Sequence, residues 1–153
     1  MYTERKNCRK AGQDMKKTVI TIARSYGSGG KTLGNLLAED LGINCYSREI
    51  LRMASDESGI NEALFGEVDE KMKKSPILFY ILKKNPYKGG VLPPESSDFV
   101  SDDNLFNYQA KVIKDLAAQE SCIIIGRCAD YVLKDNPDVI RLFFYAPLED
   151  CIR

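Results

Sequence analysis

Gly27-Ser28-Gly29-Gly30-Lys31-Thr32 is the run of this chain whose residue types point most directly to chemistry. The phosphates of a nucleotide are multiply charged and crowded, so backbone N–H groups must approach them closely, and glycine leaves room for that approach. Lys31 adds a point charge able to reach the outer phosphates, and the Thr32 hydroxyl is of the type that ligates Mg²⁺ in such loops. Read back to Ser25, the stretch follows G-x-x-x-x-G-K-[ST] except that serine stands at its first position. A plain turn from strand to helix is the alternative. The Lys-Thr pair, the apolar run before it and the leucine-bearing run after it favour a phosphate-binding loop.

Arg127 is the second candidate. It follows Ser121-Cys122-Ile123-Ile124-Ile125-Gly126, and a buried strand ending on Gly-Arg delivers a charged side chain to the carboxyl edge of a sheet, where open α/β sheets bind ligands. There Arg127 can grip a phosphate or a base edge in bidentate fashion, or form a structural ion pair. Asp130 can hold Mg²⁺ water, pair with Arg127, or cap the helix that follows. The chain has no histidine, so histidine-based acid–base or nucleophilic catalysis is excluded. Catalysis falls to Lys, Arg, carboxylates, backbone amides and a borrowed metal.

The elements that must position these residues are legible as alternating runs. Thr18 to Ala23 is β-branched at nearly every position, as expected for a parallel strand covered on both faces in the middle of a sheet. The helix after the loop, about Lys31 to Leu41, carries Leu33, Leu36, Leu37 and Leu41 at helical spacing and stops at Gly42. Ile43 to Tyr46 is a short strand, and Ser47 is expected to cap a helix through Ser55 with Ile50, Leu51 and Ala54 on one face. From Asp56 to Leu82 two or three helices are expected, punctuated by Gly59, Gly66 and Pro76. Asn85 to Ser101, with Pro86, Gly89, Gly90, Pro93 and Pro94, reads as a long irregular loop, either functional or mobile or a plain surface excursion. Asp102 to Gln119 resumes a helix with Leu105, Ile113 and Leu116 inward. Val139 to Tyr145 is a further strand, and a helix opens at Ala146. Strands alternating with helices predict a three-layer α/β fold with a mostly parallel sheet.

The 153 residues suit one domain, and 22 basic residues cancel 22 acidic ones. Zero net charge gives no sign of a nucleic-acid or membrane-surface partner. No apolar run approaches the roughly 18–20 residues of a membrane span, and Met1 to Lys17 lacks the apolar core of a secretory signal. Residues 1–17 read as a flexible basic leader before a domain spanning 18–153. The five cysteines, Cys8, Cys45, Cys122, Cys128 and Cys151, form no C-x-x-C pair and fit reduced thiols in a cytoplasmic chain.

Three stretches together resemble the cytidylate kinase-like proteins of the P-loop nucleoside monophosphate kinase superfamily. They are Ile22-Ala23-Arg24-Ser25-Tyr26-Gly27-Ser28-Gly29-Gly30, Tyr46-Ser47-Arg48-Glu49-Ile50-Leu51 and Ile125-Gly126-Arg127-Cys128-Ala129-Asp130-Tyr131. The resemblance implies a P-loop NTPase fold in which Gly27, Ser28, Gly29, Gly30, Lys31 and Thr32 hold the ATP phosphates, Thr32 also ligating Mg²⁺. It implies catalytic roles for Lys31 and Arg127, and an acceptor pocket at Arg48, Glu49, Arg127 and Asp130. A helical flap, about residues 47–120, would close on the monophosphate through its part from Ser47 to about Leu82. Phosphoryl transfer to a nucleoside monophosphate, CMP or dCMP first, is the expected activity; a non-catalytic ATP/ADP-binding module or a kinase of another small molecule are the alternatives. Ser47 stands where the family usually has aspartate. These kinases continue past the position of Arg153 into an arginine-bearing lid and a further core strand, so a C-terminally incomplete domain is expected.

Overall fold

The computed structural model describes residues 17–74 and 90–151, so most of the expected leader, Pro76, the stretch to Leu82 and the start of the loop at Asn85 lie outside the described residues. Four strands form one sheet in the order β2-β3-β1-β4: β1 Val19–Arg24, β2 Asn44–Tyr46, β3 Cys122–Ile125 and β4 Val139–Phe144. All three pairings are parallel. Strand β1 is interior as expected, with Val19 opposite Cys122 on one side and Val139 on the other. Its β-branched run suits this place, because a parallel strand with helices on both faces has no solvent side to mark with polar residues.

Period-two alternation splits the apolar side chains between two cores. Val19, Cys122, Ile124 and Val139 face the larger one, which is closed by helices α2 Glu49–Ser58, α3 Glu62–Lys74, α4 Asp102–Gln119 and the short α5 Ala129–Val132. Ile20, Ile22, Ile123 and Ile125 face the smaller one, covered by α1 Gly30–Leu41. A last short helix, α6 Leu148–Cys151, follows β4.

Helix α1 does not pack as its leucines suggest. Gly30, Gly34 and Ala38 are its buried residues, Leu37 is partly buried, and Leu33, Leu36 and Leu41 are exposed. The reason is distance: a methyl group on Gly34 would stand 2.7 Å from Ile125 Cδ1 and 3.0 Å from Ile22 Cδ1. The helix backbone lies so close to the sheet that only small residues fit between them.

Helix α2 begins at Glu49, later than a Ser47 cap would place it. Arg48 is the N-cap without a side-chain bond, and the Ser47 N–H instead donates to the Glu49 carboxylate at 2.8 Å. It runs on to Ser58, where Gly59 at φ 73° closes it and donates to the Ser55 carbonyl. Gly66 does not interrupt α3, whose Phe65 and Val68 are buried; core contacts outweigh the cost of one helical glycine. Residues 90–101 carry turns only, as the irregular-loop expectation holds for them. They are pinned to α4 by buried Asn104, whose Oδ1 accepts from Leu92 N–H at 2.8 Å and whose Nδ2 donates to the Phe99 carbonyl at 2.7 Å. Ser101 caps α4, accepting from Asn104 N–H, with Asp102 and Asp103 in the first turn where the helix dipole favours them. Among the described residues no helix is long and apolar enough to cross a membrane.

Candidate functional site

The carboxyl edges of β1 and β3 lie side by side, and each strand leaves the sheet through a left-handed turn. From β1 the chain runs through Ser25, whose N–H donates to the Phe144 carbonyl at 2.9 Å, and Ser28, whose Oγ donates to the Ser25 carbonyl at 2.8 Å. Gly27 and Gly29 both have φ 75°, a conformation that costs glycine little. Gly27 is also required by contact, since a Cβ there would fall 2.6 Å from the Cys151 carbonyl oxygen, whereas a Cβ on Gly29 would meet open space. Thus the glycines expected to open the loop to phosphates have separate tasks, and the open approach is at Gly29.

Gly29 is the N-cap of α1, with no side-chain cap bond and no acidic residue in the first turn. The helix therefore presents its first N–H groups and its positive dipole end without a protein acceptor from a capping side chain, the arrangement that receives an anion. Arg24 through Lys31 line a cleft of about 550 Å³ at this end. Lys31 and Thr32 are exposed in the first turn, and Ser25 Oγ is buried at the root of the loop without a hydrogen-bond partner.

From β3 the chain turns through Gly126, Arg127 and Cys128 at φ 72°, 58° and 52°. Gly126 N–H donates to the Ile22 carbonyl at 2.8 Å, which ties this turn to the end of β1. Arg127 Nε donates to the Ser47 carbonyl at 3.3 Å, joining the turn to the start of α2 across 80 residues of sequence. Arg48 is exposed at that start, and its side chain forms no hydrogen bond or ion pair among the described residues. Asp130 is exposed in the first turn of α5, and its carboxylate forms neither a hydrogen bond nor an ion pair there.

Glu49 reports on the site's charge. Its carboxyl is held below the usual carboxylate range first by the backbone N–H groups of Glu49 itself and Ser47, against the effect of burial, and further by the charges of Lys31 and Arg127. One carboxylate therefore senses the loop lysine and the turn arginine together. Cys45 beside it is raised by burial and by Glu49, with Lys31 acting in the opposite sense. Of the residues singled out in the sequence, Lys31, Glu49 and Arg127 are brought into one electrostatic neighbourhood; Arg48 and Asp130 stand at its margin. Sequence reasoning missed the Ser47 carbonyl, which no side-chain pattern can announce, and passed over Arg24, which precedes the loop.

Among the described residues no group of three or more Cys, Asp or Glu could hold a metal. That donor set fits Mg²⁺ only in the manner of nucleotide enzymes, where the ion keeps several waters and takes one or two protein oxygens beside the substrate's phosphates. The exposed Thr32 hydroxyl in the first turn of α1 is one protein oxygen of that kind.

The parallel sheet, the helices on both faces and the two turns at one edge define an α/β protein of the kind that binds ligands at the carboxyl ends of its strands. A model of the cytidylate kinase-like family matches residues 19–153, and the chain belongs to that family. Among solved structures it is similar to an uncharacterized protein from Eubacterium ventriosum ATCC 27560, at 25% identity and a TM-score of 0.52. The match covers 88% of this chain and 57% of the other, so this chain spans little more than half the length of that structure. No curated protein matches.

Proposed function

We propose that the protein transfers the γ-phosphoryl group of Mg-ATP to a nucleoside monophosphate, with CMP or dCMP the first candidates. The observation that carries this reading is the meeting of the uncapped helix end bearing Lys31 with the turn bearing Arg127, both within reach of Glu49's charge. Family membership supports a kinase, and the geometry supports two anionic substrates on neighbouring strand ends.

In this reading the amides of Gly29 to Thr32 hold the donor phosphates, and Lys31 balances charge that moves toward the bridging oxygen. Thr32 would hold Mg²⁺, which when bound neutralises part of the phosphate charge. Arg127 would fix the acceptor's phosphate, with its guanidinium oriented by the Ser47 carbonyl. An acceptor phosphate oxygen bonds to the γ-phosphorus as the bond to the β,γ-bridging oxygen breaks, and ADP leaves. Such a loose transition state asks for placed cations and amides more than for a strong base, which suits a chain without histidine. The helices from Glu49 onward would form the flap over the acceptor.

The test is ADP release in a coupled assay with Mg-ATP and CMP, dCMP, UMP, AMP or GMP, run beside Lys31→Ala. Turnover with a pyrimidine monophosphate that falls at least a hundredfold in the variant is the expected result. Binding of Mg-ATP without turnover on any acceptor would instead mark a nucleotide-binding module.

A further inference from the structure

Arg24 ends β1, opposite Phe144 in the register, one residue before the loop. Its side chain runs along the carboxyl edge of the sheet. A Cβ on Gly30 would lie 3.0 Å from Arg24 Cβ and 3.2 Å from its Cδ, so the stem crosses the first residue of α1. A Cβ on Gly126 would lie 3.3 Å from Arg24 Nη1, so the guanidinium reaches the turn that carries Arg127. Glycine at both positions leaves room for this path. The side chain thus spans the gap between the two turns and lines the cleft at the helix end.

Among the described residues no carboxylate pairs with the guanidinium. Arg24 is exposed and forms no hydrogen bond or ion pair among the described residues, although it carries a permanent charge and five N–H donors in a planar fork. Arginines that serve stability alone are ordinarily laid along apolar surface with the head paired or in open water. This one is threaded between two glycines with its head between two anion-binding turns.

We infer that Arg24 is a substrate-contacting residue that grips the terminal phosphate of the nucleotide triphosphate donor, on the side facing the acceptor turn. The inference rests on the kinase reading above and adds to it a contact that distinguishes a triphosphate from a diphosphate. Lys31 and the loop amides serve both nucleotides; Arg24 has a partner only when the third phosphate is present.

Calorimetric titration of the full chain with Mg-ATP and Mg-ADP tests this without any need for turnover. Arg24→Met keeps the stem over Gly30 and removes the charge, and is expected to weaken Mg-ATP by roughly ten- to a hundredfold while Mg-ADP changes less than twofold. Arg24→Lys, which keeps a charge but loses the fork, is expected to fall between. Equal losses for the two nucleotides, or no loss for either, would overturn the inference and leave the kinase reading standing. Failure of the unsubstituted chain to bind either nucleotide would overturn both, and is recognised because it needs no substitution. If the methionine variant does not fold, the lysine variant decides: its loss for ATP must still exceed its loss for ADP.

Discussion

The turns that leave the neighbouring strands β1 and β3 both pass through left-handed residues, yet they are built on opposite terms. In the first turn every left-handed residue is a glycine, so the backbone is relaxed and its helix-end amides are left without a capping side chain. In the second, Arg127 and Cys128 follow Gly126 into the same region, where an L-residue costs on the order of 1–2 kcal/mol. That strain is held by hydrogen bonds on every side: Ala129 N–H to the Gly126 carbonyl, Val132 N–H to the Cys128 carbonyl, and Arg127 itself to Ser47. The first turn leaves its helix-end donors without a capping side chain, and glycine provides that without strain. A cation aimed at a fixed point needs a side chain where glycine would be easier, and the surrounding bonds must then hold the backbone there.

The sharpest way to break this comparison is inside the first turn. Gly27→Ala combines a left-handed backbone with a Cβ driven into Cys151, and should cost about 2–5 kcal/mol, while Gly29→Ala, facing open space, should cost only about 1–2 kcal/mol. Urea unfolding midpoints compare them; equal costs would mean that α6 is not seated on the loop.

A smaller effect is expected in the second turn. Arg127→Gly and Arg127→Ala lose the same guanidinium, so their difference isolates the backbone, and the glycine variant should be the more stable by about 1 kcal/mol. Equal stabilities would mean that the turn holds no strain to relieve.

The smallest effect concerns β2, just after which Ser47 braces Arg127. Tyr46 donates to Glu120, and Asn44 Nδ2 donates to the same carboxylate at 2.8 Å. Burial, and then the bond to Glu120, push the Tyr46 phenol up to about 12. A raised phenol favours the protonated form in the folded chain, so its contribution is complete below pH 10 and is lost as pH rises from 10.0 toward about 12. Tyr46→Phe should cost about 0.5 kcal/mol at neutral pH and flatten the fall of stability across that alkaline window, as thermal unfolding at stepped pH would show. An unchanged alkaline slope would remove Tyr46 as its source.

The comparison also marks what the sequence could disclose. The glycine loop, the interior place of β1 and the buried strand delivering Arg127 were legible because they depend on residue types in local order. What escaped depends on distance between elements. Leu33, Leu36 and Leu41 look like a core stripe, but α1 lies too near the sheet for them and turns Gly30, Gly34 and Ala38 inward. Ser47 has the composition of a cap, yet the Glu49 carboxylate takes its N–H and Arg127 takes its carbonyl. Arg24 was visible as a letter beside the loop; its path between Gly30 and Gly126 belongs to the fold.

The position of β1 between two late strands has a consequence for how the molecule comes into being. Thr18, just before its start, donates its N–H to Ser121 Oγ, 103 residues further along. At a synthesis rate of about 5–20 residues per second, β1 emerges roughly 5–20 seconds before its first neighbour exists. Helices α2 and α3 can meet locally in that interval, but the central strand waits, apolar on both faces, for partners that carry a large loop-closure cost. The same few residues that lead into the glycine loop therefore form an apolar segment that stays unpaired during synthesis, open to aggregation until β3 and β4 follow.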